Sequence, residues 1–184
     1  IYGNNSYNAI SSYQEVTNNN IHILRPGDND YMINQTYGIN QIKHGLVEGN
    51  DIKIEFPDEP SYARGVGIYG FDGVTIRDNN LDVMISYHSN STGSGIYIGC
   101  NSGGDNLVEG NTIYSHPNWS SHGVGLRVSA CSGDITEVRE NIFKGTGGYH
   151  LEASSSIIAS HNIFEVESGT ADAINLTSTY SYEI

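Results

Sequence analysis

Cationic side chains are scarce in this chain. Of 184 residues only 8 are Lys or Arg, against 21 Asp or Glu, which gives a formal charge of −13. A surface of that sign meets net repulsion from nucleic acid, anionic lipid and strongly acidic polymers, so none of these is expected as a general partner; a local basic site remains compatible with it. Long apolar runs are also missing. Hydrophobic residues make up 37% of the chain, mean hydropathy is −0.37, and no stretch approaches the roughly 18 apolar residues of a membrane span. Cysteine stops at 2, and no adjacent His pair stands at ligand spacing, so no metal centre is expected. No Met and no charged-then-apolar leader stands at Ile1, and the chain is therefore expected to be a processed form or a piece of something longer. Helical periodicity is nearly absent, because Gly, Asn and Ser interrupt the chain every few residues.

What is present points to short strands. There are 22 Gly and 13 Tyr, with abundant Asn and Ser, and the lysines are Lys43, Lys53 and Lys144 alone. This balance suggests an extracellular or cell-surface β-rich protein. Asn-x-Ser/Thr sequons at Asn4, Asn34, Asn90, Asn118 and Asn175 permit glycosylation there, although an Asn- and Ser-rich chain produces several by chance. The sequence also repeats. Six windows carry an Asn with an apolar residue three before it and another two after it: Val16/Asn19/Ile21, Val47/Asn50/Ile52, Ile76/Asn79/Leu81, Val108/Asn111/Ile113, Val138/Asn141/Phe143 and Ala159/Asn162/Phe164. The position four after each Asn is mostly apolar as well, and alternation at +2 and +4 is the period of a strand.

A second register interleaves with the first. Gly67-Ile68-Tyr69, Gly95-Ile96-Tyr97, Gly125-Leu126-Arg127, His150-Leu151-Glu152 and Ala173-Ile174-Asn175 share a phase, to which Ala9-Ile10-Ser11 and Met32-Ile33-Asn34 are assigned. A unit of this size cannot bury its own apolar face, whereas stacked coils can. The units "GVTIRDNNL", "NLVEGNTIY", "TEVRENIFK" and "SIIASHNIF" resemble the parallel β-helix repeat of the pectin-lyase-like superfamily, over nearly the whole chain. The expected fold is all-β: a single-stranded, right-handed parallel β-helix of about six coils, with residues 1–184 as one domain. The resemblance implies a stacked Asn ladder at the turn between two strands, here Asn19, Asn50, Asn79, Asn111, Asn141 and Asn162. Asn suits that place, since it tolerates left-handed backbone and its amide reaches both neighbours.

Cys100 follows Ile96 by four residues and Cys131 follows Leu126 by five, which puts them at nearly the same turn of adjacent coils. A disulfide between them is expected, with two stacked free thiols as the alternative. By strand alternation the outward row reads Ser11, Asn34, Tyr69, Tyr97, Arg127, Glu152, Asn175. Tyr69, Tyr97, Arg127 and Glu152 would form a strip suited to sugar rings, or else an ordinary tyrosine stack beside an ion pair. Three long insertions, 57–65, 86–94 and 115–123, fall on one edge beside this strip. They carry Asp58, Glu59, Tyr62, Arg64, Tyr87, His88, His116, Trp119 and His122.

The catalytic candidates are Tyr87, His88, His116, His122 and Arg127, residue types that serve a lyase or epimerase as base, acid and carboxylate clamp; Trp119 joins the carbohydrate-binding candidates. The hydrolase, epimerase and lyase signatures of the superfamily are not met: there is no Asp-Asp pair, and only "SHGVG" (121–125) faintly resembles a Gly-His-Gly. Asp28 and Asp30 in "PGDNDY" form a weak Ca²⁺ pattern, and no other cofactor is implied. Ile10 and Ile174 share a phase near the two termini, which suggests end-to-end stacking and filaments. The expected function is therefore a non-catalytic structural or adhesive solenoid, glycosylated or carbohydrate-contacting, that associates with itself end to end. The alternative is an enzyme acting on an acidic polysaccharide.

Overall fold

The computed structural model describes residues 6–11, 14–24, 34–56, 63–85, 92–99, 103–116, 123–129, 133–145, 149–166, 172–177 and 182–183. Their regular elements are all strands. Coil one holds β1 (Ser6–Ser11), β2 (Glu15–Thr17) and β3 (Asn20–Leu24); coil two holds β4 (Asn34–Lys43), β5 (Leu46–Glu48) and β6 (Asp51–Phe56). Coil three is β7 (Ala63–Phe71), β8 (Thr75–Arg77) and β9 (Asn80–Ile85), and coil four is β10 (Thr92–Gly99), β11 (Asn106–Glu109) and β12 (Thr112–Ser115). Coil five is β13 (Gly123–Val128), β14 (Thr136–Arg139) and β15 (Ile142–Gly145). Coil six is β16 (Tyr149–Ala153), β17 (Ile157–Ser160) and β18 (Ile163–Val166), while β19 (Asp172–Leu176) and β20 (Tyr182–Glu183) belong to a seventh.

Each strand pairs in parallel with its counterpart one coil away. The first strands of the coils form sheet A, with seven strands; the second form sheet B, with seven; the third form sheet C, with six. The chain is a parallel β-solenoid. Its core is a set of apolar columns running along the axis: Val16, Val47, Ile76, Val108, Val138 and Ala159 in sheet B, and Ile21, Ile52, Leu81, Ile113, Phe143 and Phe164 in sheet C. Most of these are fully buried, and each large aliphatic residue so buried contributes about 1.5–3 kcal/mol. The first repeat register thus holds in all six coils.

The second register needs a correction at coil two. Ile10 and Ile68 pair with Ile39, not Ile33, and the outward partner of Ser11 is Asn40, not Asn34. Asn34 instead opens β4 opposite Ala63, so that sequon is not on the outward row. Both triplets, Met32-Ile33-Asn34 and Gly38-Ile39-Asn40, fit an apolar pattern, and the glycine decides between them. At Gly38, Gly67, Gly95 and Gly125 an added Cβ would lie 2.7, 2.5, 2.8 and 2.6 Å from a carbonyl oxygen of the next coil. Residues 25–33 lie outside the described set. Beyond Ile39 the pairing slips, and Ile42 meets Gly70 across a bulge that contains the left-handed Gln41.

The asparagine ladder runs unbroken from Asn19 to Asn162. At each step the backbone N–H and the amide of one Asn both donate to Oδ1 of the next, with amide distances of 2.9, 2.9, 2.9, 3.0 and 3.0 Å. From Asn50 to Asn141 the same amide also donates to two carbonyls, one in its own coil and one in the coil before. For Asn111 these are Glu109 at 3.0 Å and Ile76 at 3.0 Å. The backbone reason for Asn differs from the expected one. The left-handed residue is the one before each ladder Asn: Asn18, Gly49, Asp78, Gly110, Glu140 and His161, with φ between 55° and 65°. Asparagine sits in the ladder for its amide.

Candidate functional site

The solenoid places every third strand on the same face, so outward residues of sheet A line up along the axis. Tyr69, Tyr97, Arg127, Glu152 and Asn175 form one row, as expected from the sequence. Tyr69 and Tyr97 stack with centroids 5.2 Å apart and planes 15° apart. Tyr37 extends the stack from coil two, 6.0 Å from Tyr69, and Phe71 lies 5.7 Å from Tyr69 on the same strand. Gly99 leaves the room this needs, since a Cβ there would meet the Tyr69 hydroxyl at 2.7 Å.

Polar groups fix the strip in place. Ser129 Oγ donates to the Tyr97 hydroxyl at 2.6 Å, and the Tyr37 hydroxyl donates to Gln35 Oε1 at 2.9 Å. Burial pushes the phenol pKa of both Tyr37 and Tyr69 above 10, so both are neutral donors at physiological pH. Arg127 binds Glu152 Oε2 through Nε at 2.9 Å and Nη2 at 2.8 Å. The Arg64 guanidinium lies over Tyr97, 5.1 Å from the ring centre. Among the described residues, Lys43, Lys53, Arg77, Arg127, Arg139 and Lys144 each have a carboxylate partner, and Arg64 is in no ion pair. In a chain with so large an acidic excess, a cation that rests on an aromatic ring rather than on a carboxylate marks this face.

The other candidate residues are not gathered at one point. His116 follows β12 on the outer side of sheet C, where its Nε2 is 2.5 Å from Asp82 Oδ1. That contact holds the Asp82 carboxyl below the usual carboxylate range. Arg127 is on sheet A and already paired, so the structure does not bring these two catalytic candidates together. Tyr87, His88, Trp119 and His122 lie outside the described residues, as do Asn4, Asn90, Asn118, Cys100, Cys131, Asp28 and Asp30. The insertions that carry the first group all connect a sheet C strand to the next sheet A strand, which is the corner bordering the tyrosine strip.

Two features escaped the sequence reading. Tyr37 belongs to the strip, and the glycine after it was the available signal, since Tyr37-Gly38-Ile39 has the phase of Val66-Gly67-Ile68. On sheet B, Glu48, Arg77, Glu109 and Arg139 form an alternating charge ladder two residues before the ladder asparagines. Arg77 pairs with Glu48 at 2.9 Å, and Arg139 with Glu109 at 2.8 Å and Glu137 at 2.9 Å. A shallow groove of about 580 Å³ lies at the corner between sheets A and B, with Glu15, His44, Thr75 and Arg77 on its walls. Among the described residues no three His, Cys, Asp or Glu side chains are grouped to hold a metal ion, and no helix is long and apolar enough to cross a membrane. Comparison with protein-family models, with curated proteins and with solved structures finds no match.

Proposed function

We propose that this chain is an extracellular, non-catalytic structural or adhesive solenoid that contacts carbohydrate through the outer face of sheet A. The observation that carries the reading is the Tyr37–Tyr69–Tyr97 strip with the unpaired Arg64 laid across it. Aromatic rings offer a surface to the C–H groups of a pyranose, and a guanidinium offers planar donors to its hydroxyls. Because the strip is built on paired strands, little conformational freedom is lost on binding. Glycosylation at Asn175, which sits next to Glu152 on the same row, would cover one end of the strip. A Cys100–Cys131 bridge is part of the same reading: the two cysteines follow the register partners Ile98 and Val128 by two and three residues.

The same reading takes the solenoid as right-handed, the sense that parallel crossovers almost always adopt, and as akin to the pectin-lyase-like repeats. It also holds that copies associate end to end. Titration calorimetry against neutral and uronate oligosaccharides tests the sheet A face. Binding weakened about 10-fold or more by both Tyr97→Ala and Arg64→Gln is expected, and wild-type protein that binds neither class overturns the proposal. Light scattering tests self-association: a monomer at micromolar concentration with both ends ordered would sink it.

A second reading is favoured by the Asp82–His116 contact. A carboxylate that orients an imidazole is the arrangement a general base needs, and this one leads directly into the 117–122 insertion. Unsaturated-uronate and reducing-end assays on alginate, pectin and polygalacturonate distinguish the two readings. Product formed by wild-type protein and lost in His116→Ala would favour the enzyme.

A further inference from the structure

The three sheets divide the charge of the chain unequally. The strands of sheet A carry Lys43, Arg64 and Arg127 against Glu152 and Asp172. Those of sheet B carry two cations, Arg77 and Arg139, against five carboxylates, and those of sheet C two, Lys53 and Lys144, against four. Among the described strands of a chain with formal charge −13, sheet A alone holds more cations than carboxylates.

The three cations of that sheet are not equivalent. Lys43 Nζ lies 3.1 Å from Asp72 Oδ2, and Arg127 grips Glu152 through both Nε and Nη2. Arg64 has no carboxylate among the described residues and rests on the Tyr97 ring, half-buried. Burial raises the phenol pKa of Tyr37 and Tyr69, and the positive charge of Arg64 opposes that rise at both. The guanidinium therefore stands within electrostatic reach of all three stacked tyrosines. Their hydroxyls differ as well. Tyr37 donates to Gln35 and Tyr97 is held by Ser129, whereas Tyr69 has no hydrogen-bond partner among the described residues. Gly99 keeps the space at the Tyr69 tip free, since a Cβ there would lie 2.7 Å from the hydroxyl.

We propose that this strip takes a largely neutral glycan bearing isolated carboxylate sugars, with one carboxylate on Arg64 and a neighbouring sugar hydroxyl at Tyr69. The inference rests on the carbohydrate reading above and adds the class of the glycan. A carboxylate fills the planar guanidinium fork with its two oxygens. A sulfate ester would keep a third oxygen, for which the described strip holds no second free cation. One free guanidinium neutralises one charge. A polyuronate brings a charge on every sugar, and all but one would meet the field of the acidic chain uncompensated.

A glycan array of neutral oligosaccharides, the same backbones with one glucuronate or one sulfate, and oligogalacturonates tests the proposal, with calorimetry on the ligands retained. Singly carboxylated glycans should bind best, and reduction of their carboxylate to a hydroxymethyl group should weaken binding about 10-fold or more. Arg64→Gln should weaken the carboxylated glycan by a similar factor and leave its reduced form unchanged, and Arg64→Lys, which has no fork, should restore only part of the loss. Should Arg64→Gln fail to fold, the native and reduced glycans on wild-type protein make the same comparison. Equal binding of neutral and singly carboxylated glycans overturns this proposal and leaves the carbohydrate reading standing. Preference for oligogalacturonate or for the sulfated glycan overturns it too. Wild-type protein that retains no glycan of any class removes the carbohydrate reading and this inference with it.

Discussion

The corner between sheets B and C and the corner between sheets C and A obey different rules in the same molecule. From coil one to coil six, the B–C corner is two residues long, a left-handed residue and then the ladder Asn, and every coil repeats it. The C–A corner has connections that run from 3 residues (146–148) to 9 residues (25–33). The difference lies in what satisfies the backbone. At the B–C corner the amide of each inner Asn, from Asn50 to Asn141, is bonded to the coils on both sides, so one inserted residue there would break bonds in three coils at once. At the C–A corner no such ladder is seen among the described residues, and chain length there costs only loop entropy, about 0.6 kcal/mol per doubling. Insertions, and with them unrepeated Tyr, His and Trp residues, collect where the repeat does not forbid them.

The comparison breaks most sharply under insertion. Five Gly/Ser residues placed between Gly110 and Asn111 should abolish cooperative folding, while the same segment placed between β9 and β10 should lower stability by about 1 kcal/mol or less. Urea unfolding followed by circular dichroism checks both, and equal losses at the two sites would remove the distinction drawn above. Next in size is Asn111→Ala. Asn111 is fully buried, its amide donates to Asn141, Ile76 and Glu109, and its Oδ1 accepts from Asn79. Its removal leaves several buried groups without partners and should cost about 3–5 kcal/mol, read as a shift in the denaturation midpoint.

Smaller effects sharpen the same contrast. Glu140→Gly relieves a left-handed residue with φ of 57° and should stabilise the chain by about 1 kcal/mol, which a thermal melt would show as a rise in Tm. The smallest expected effect is at the approach to the C–A corner. The His116 contact lowers the Asp82 pKa, so the carboxylate contributes stability above its unfolded value near 4 and loses it as pH falls through the folded value. The pair is partly exposed, and Asp82→Asn should therefore cost about 0.5 kcal/mol or less at pH 7 and progressively less as pH falls through the folded value, measured as Tm against pH.

The sequence alone determined the ladder and the two apolar columns after it. Asn111, Val108 and Ile113 have neighbours of the same type one coil away, and a repeated side chain in parallel register has little choice but to stack on itself. It also determined that Tyr69, Tyr97, Arg127 and Glu152 share a row. Where the period slips, the sequence was ambiguous: Ile33 and Ile39 read equally well as core. Only the tertiary structure chose Gly38-Ile39, because carbonyl oxygens of the next coil leave no room for a Cβ. That choice carried Tyr37 into the strip and took Asn34 off it. The position of Arg64 on Tyr97 was likewise decided in three dimensions, as was the turning of His150 into the core, since neither residue repeats. Repetition makes a position legible by supplying its neighbours in the sequence; a side chain that occurs once gets its surroundings from the packing of coils around it.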